Sequence, residues 1–154
     1  MQSLQSLGRH RKILKIGVSN LTRLDKRELS RLDSELNKYR SIDRSIRNRQ
    51  LELSARNSDD EMGIRSGRVS KPTEAIVIKW DSDPTIRHLE AFKTLVEKLL
   101  DLLTDEDREL FHLRWQYPCL KWEEIADKKF MSLATIYRRR AIILEQYAEL
   151  KGHL

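Results

Sequence analysis

The strongest constraint on this chain lies in residues 103–144, where short amphipathic segments are separated by breaks with room for little more than a turn. Pro118 stops one such segment, Trp122-Glu123-Glu124-Ile125-Ala126-Asp127 starts another, and Ser132 opens a third a few residues later. Proline cannot donate the amide that continues a helix, whereas a serine hydroxyl caps the first turn of a new one. Three short helices are predicted, with a tight turn at Phe130-Met131 that these two side chains fill. Ala126 is small enough to let the helices on either side of that turn cross closely. In the last helix Ile136, Ile143, Tyr147 and Leu150 fall on one side, three to four residues apart or a multiple of that, and define its core face. Leu133, Ala134, Thr135, Tyr137, Arg138 and Ala141 are left pointing outward.

The segments upstream prepare this one. Asp83-Pro84 is a helix start, with a carboxylate cap followed by a proline that needs no amide partner. The helix it opens runs to about Leu103 and carries a wide apolar face of Ile86, Leu89, Phe92, Leu95, Val96, Leu99, Leu100, Leu102 and Leu103. Thr104 with Asp107 opens the next helix, where Leu110, Phe111, Leu113 and Trp115 supply apolar contacts. Residues 75–80, AIVIKW, fit a strand or a short helix, and the helix is preferred because no second strand-like run exists to pair with. Farther upstream, Thr22 with Asp25 resembles a capping box, and a single helix is predicted from there to about Ala55. Its apolar residues Leu29, Leu32, Leu36, Tyr39, Ile42 and Ile46 approximate a heptad seam on an otherwise charged helix. A seam that narrow needs a partner. A second copy of the chain, most simply as a dimer, competes with packing back on the C-terminal part. The domain division is therefore 1–55 (basic arm and long helix), 56–72 (a Ser- and Gly-containing linker) and 73–154, with the helix–turn–helix at 122–144.

Charge is uneven along the chain. Residues 1–56 hold 14 Lys/Arg and 6 Asp/Glu (net +8), residues 57–129 carry a net −4, and residues 130–154 a net +2. Basic ends around an acidic middle suit a polyanion, because neutralising phosphates releases condensed counterions. Arg9, Arg11, Lys12 and Lys15 form a candidate arm along a DNA backbone. At the other end, an outward helix face of Thr135, Tyr137 and Arg138 beyond a serine cap has the form of a reader of the major groove. Arginine can bond guanine with two parallel hydrogen bonds, and threonine or alanine can touch a thymine methyl.

The spacing of Glu109-Leu110 and Leu113-Arg114, then WEEIAD, then S-x-x-T-I-Y-R-R over residues 132–139 resembles region 4 of bacterial sigma factors. Over about residues 72–150 the chain resembles the RinA-like and ArpU-like phage transcriptional regulators. The resemblance implies an all-α protein with a sigma-region-4-like helix-turn-helix that binds double-stranded DNA sequence-specifically. It further implies activation of phage late or packaging genes with the host RNA polymerase, in the bacterial cytoplasm at the nucleoid. Mapped onto this chain, Ser132 caps the reading helix, Leu133, Ala134, Thr135, Tyr137 and Arg138 face base edges, and Arg139 and Arg140 meet phosphates. Arg139 is a departure, since the sigma pattern has an apolar core residue there. A small-terminase-like assembly protein and a sigma-like factor are the alternatives; the second is disfavoured because residues 1–55 hold a single aromatic, Tyr39.

Other chemistry finds no support. The four histidines lie in separate segments without a His or Cys three or four residues away, so no metal site is expected. No glycine-rich phosphate loop occurs, and the acidic pairs sit at helix starts, where the helix dipole accounts for them. No enzyme activity and no cofactor are expected. The single cysteine, Cys119, is expected to fill apolar space. No apolar run is long enough for a membrane span.

Overall fold

The computed structural model describes residues 24–60 and 74–152, and the expected basic arm of Arg9, Arg11, Lys12 and Lys15 lies outside them. The fold is all-α. The described residues form α1 (Lys26–Leu36), a 3-10 turn (Tyr39–Ser41), α2 (Ile42–Asp60), α3 (Glu74–Ser82), α4 (Pro84–Leu102), α5 (Asp105–Trp115), α6 (Trp122–Lys129) and α7 (Leu133–Leu150).

Several helix starts fall where side-chain chemistry puts them. The Asp83 carboxylate accepts from the Ile86 amide at 2.9 Å, ahead of Pro84. The Thr104 hydroxyl accepts from the Asp107 amide at 3.2 Å and donates to the Asp107 carboxylate at 2.8 Å. Ser132 Oγ accepts from the Thr135 amide at 3.2 Å. At the first helix the capping box is present but displaced: Asp25, not Thr22, is the cap, and it exchanges bonds with Glu28 at 2.8 and 3.0 Å.

The long N-terminal helix is interrupted. The chain breaks at Asn37 and turns through Tyr39–Ser41, so α1 and α2 are separate helices, and α2 continues to Asp60, five residues into the expected linker. The break explains the fate of the apolar seam. On one straight helix it could meet only a straight partner. Bent at the 3-10 turn, it wraps the rest of the chain, with α1 against α7 and α2 against α4. Leu32, Leu36 and Ile42 are buried, and Leu29 and Tyr39 pack on the core. The seam that argued for a second copy is thus covered from within.

One apolar cluster joins Leu32 and Leu36 of α1, Val96 and Leu99 of α4, Leu110, Phe111 and Trp115 of α5, Ile125 of α6, and Ile136, Ile143, Leu144 and Tyr147 of α7. The aromatic side chains stack through it: Tyr39 on Phe111 at 5.9 Å and Trp115 on Trp122 at 5.4 Å edge to face, with Phe111 tilted on Trp115 at 5.1 Å between them. Such pairs add about 0.5–1.5 kcal/mol each beyond their buried area. Leu102, expected on the core face of α4, is exposed instead. Residues 75–80 are helical, within α3, which has no buried residue.

A candidate nucleic-acid interface on α6, the turn and α7

Helices α6 and α7 pack on each other across a turn of Phe130, Met131 and Ser132. Trp122, Ile125 and Ala126 of α6 are buried, as the small-residue crossing requires. The N-terminus of α6 is closed by half a capping box, in which the Lys121 amide donates to the Glu124 carboxylate at 2.6 Å. The turn is made differently from the expectation. Phe130 ends α6 in the left-handed region (φ 52°) with its side chain 97% exposed, so only Met131 packs inward. A left-handed backbone breaks the helix sharply, and the Met131 amide returns to the Ala126 carbonyl at 3.0 Å.

The rotation of α7 follows from its buried side. Ile136, Ile143, Leu144 and Tyr147 are inaccessible to solvent, and Leu150 is partly buried. Ser132, Leu133, Ala134, Tyr137 and Arg138 are exposed, and Thr135 is half-buried. The Tyr137 ring lies 6.4 Å from that of Trp122, with the Arg140 guanidinium 6.0 Å from its centroid. Arg138 makes no hydrogen bond or ion pair with any described residue.

The three consecutive arginines divide into three roles. Arg138 faces solvent. Arg139 turns toward the start of α5, bonding Asp107 at 2.9 Å and pairing with Glu106. Those carboxylates raise its pKa, with the Asp107 bond the largest cause. Arg140 turns into the structure, with Nε and a terminal nitrogen on the Asp33 carboxylate at 2.8 and 2.7 Å. Arg139 and Arg140, expected on phosphates, are therefore already held by carboxylates. The physical reason is helical geometry: successive residues turn by about 100°, so three adjacent arginines cannot share one face.

Sequence reasoning missed Asp33. This carboxylate, 6% exposed, also accepts from Trp115 Nε1 at 2.8 Å and lies 3.7 Å from Arg114. The guanidiniums of Arg114 and Arg140 flank the Trp122 ring at 5.3 and 5.7 Å. Two residues along α1, Glu35 accepts from the Tyr147 hydroxyl at 2.9 Å and from Lys151 at 2.7 Å. Burial tends to raise the Glu35 carboxyl, but the bonds from Lys151 and Tyr147 outweigh it and hold the pKa below the usual 4.5. Burial and the neighbouring Glu35 both push the Tyr147 phenol upward. Two acids of α1 thus fix the angle at which α7 is presented. Nothing local marks them, because their partners lie 81 to 116 residues away.

Cys119 is half-buried, not a core filler, and sits in the α5–α6 loop with Arg40 donating to its sulfur at 3.0 Å. Among the described residues, no group of three or more His, Cys, Asp or Glu is arranged to hold a metal ion, and no helix is long and apolar enough to cross a membrane.

The architecture defines an all-helical protein in which a helix–turn–helix arrangement is clamped by an N-terminal helix. It belongs to a family described as a protein of unknown function (DUF722), whose pattern matches residues 28–149. That span runs from the first turn of α1 to the last turn of α7, so the clamp and the clamped helices fall within one family unit. No curated protein and no solved structure matches the chain.

Proposed function

We propose that this protein is a sequence-specific double-stranded DNA-binding transcriptional regulator, of the kind that activates phage late or packaging genes together with a bacterial RNA polymerase. The observation that carries the DNA reading is the N-terminal half of α7. It presents Leu133, Ala134, Tyr137 and Arg138 to solvent beyond a serine-capped end, with Arg138 unpaired among the described residues. A helix about 10–12 Å across fits a major groove about 12 Å wide, and its first turns then reach base edges. Arg138 is the guanine reader, Ala134 and Leu133 offer apolar contact to thymine methyls, and free amides at the α7 N-terminus suit a phosphate. The activator role and the polymerase partner rest on the resemblance to RinA-like and ArpU-like regulators, which also implies the bacterial cytoplasm as its location.

Selection of bound duplexes from a random DNA pool by the purified protein tests the reading. An enriched motif, bound more weakly and less selectively by Arg138→Ala, is the expected result. Recovery of random sequence only, from a protein that nonetheless binds DNA, would replace a specific regulator by a general DNA-binding or assembly protein.

A further inference from the structure

Beside the helix–turn–helix lies a cleft of about 600 Å³ whose walls come from distant parts of the chain. One wall is the 3-10 turn and the start of α2, with Arg40, Ser41 and Arg44; the other is the α5–α6 loop, with Gln116, Tyr117 and Cys119. Its charge is lopsided. Arg40 and Arg44 are exposed, and Arg44 makes no hydrogen bond or ion pair with any described residue. The acid in the lining, Asp43, is neutralised by Lys93 at 2.7 Å. Arg47, exposed one turn beyond Arg44, extends the same face of α2. Lys121 is exposed where the loop enters α6, and Tyr117 projects from the loop almost wholly into solvent.

A short run of contacts leads from the cleft toward the proposed reading face. Arg40 touches Cys119 at 3.0 Å, at most about 10 Å of chain separates Cys119 from Trp122, and the Trp122 ring packs on Tyr137. The geometry points to a second DNA-binding surface: Arg40 and Arg44, with Lys121 and Tyr117 at the rim, take the sugar–phosphate backbone flanking the groove that α7 enters. This inference rests on the DNA-binding reading of α7. It also gives α2 a task the sequence did not suggest and replaces Arg139 and Arg140, which are held by carboxylates, as the phosphate clamp. Backbone-directed groups of this kind set affinity, register and salt dependence and carry no base information.

The test measures binding of the full-length protein to its selected duplex and to random duplex by fluorescence anisotropy across salt concentrations. Arg40→Gln/Arg44→Gln should lower the slope of log K against log salt by about 0.9 for each phosphate no longer neutralised, with the selected-to-random affinity ratio unchanged. Arg44→Gln alone, which disturbs no internal bond, should give about half that reduction, and Arg40→Lys should keep most of the slope. Because Cys119 is the single cysteine, maleimide labelling offers a readout on the unaltered chain: saturating duplex should slow it at least several-fold. A wild-type protein that binds duplex DNA, with slopes unchanged in these variants and labelling unaffected by DNA, overturns the second surface and leaves the α7 reading intact. A wild-type protein that binds no duplex DNA overturns both.

Discussion

Replacing Asp33 with alanine should loosen the whole presentation of α7, and the size of the effect follows from what the carboxylate holds. Its removal leaves the Trp115 indole N–H unpaired in a ring with no solvent access, at about 1–3 kcal/mol. It also strands the Arg140 guanidinium, whose side chain is 17% exposed. Breaking a buried ion pair by removing one partner costs about 3–5 kcal/mol. Water can reach part of Arg140, so the combined cost belongs near the lower end of those figures, at about 3–4 kcal/mol. For a domain of this size that is a fall in Tm of about 10–15 °C, read by far-UV circular dichroism. Arg140→Met, which removes the charge and keeps an unbranched side chain in its place, should cost less. In the double variant the two effects should fall short of additive by about 1–3 kcal/mol, the signature of direct interaction. A fall below about 4 °C for Asp33→Ala, or strict additivity with Arg140→Met, would refute the idea that this carboxylate clamps α1, α5 and α7.

Other perturbations separate structure from recognition. Arg139→Ala, which removes the pairs with Asp107 and Glu106 at a partly exposed site, should cost about 1 kcal/mol of stability and leave base preference untouched; altered preference would return Arg139 to the interface. Phe130→Gly should raise Tm by a few degrees, since it relieves a left-handed backbone by about 1 kcal/mol and sacrifices no packing from a side chain already in solvent. An unchanged or lower Tm would show that Phe130 stabilises the turn. Because the native Glu35 carboxyl titrates below its usual 4.5, its contribution to stability is complete above that pH and is lost as pH falls through the native value. The stability gap between wild type and Glu35→Gln should therefore be widest near neutrality and shrink in acid; a gap that does not move with pH would remove Glu35 as an ionic clamp.

What was legible in the sequence was local. Asp83, Thr104 and Ser132 act within three residues of themselves, and their caps place α4, α5 and α7. The core face of α7 follows from its period, with Ile136, Ile143 and Tyr147 all inaccessible. What stayed hidden was the competition between an inner and an outer partner. The seam of Leu29, Leu32 and Leu36 reads alike whether another chain or this one covers it, and only the bend at Tyr39–Ser41 decides. Arg138, Arg139 and Arg140 are chemically identical in a string of letters. Their separation into a solvent-facing arginine and two held by carboxylates depends on Asp33, Glu106 and Asp107, which are 32 to 107 residues distant. Phe130 shows the same limit from the other side, an apolar residue placed at a backbone position that needs a tight turn more than it needs burial.

The proposed function turns on base reading by Arg138 from the exposed first turns of α7. Its most direct test is the affinity of wild type and Arg138→Ala for the selected duplex and for random duplex at one fixed salt concentration. Base reading by Arg138 predicts a loss of about 1–3 kcal/mol on the selected duplex and a much smaller loss on random DNA, with the melting temperature unchanged. Equal loss on both duplexes would make Arg138 a phosphate-binding group, and no loss on either would take α7 out of the interface.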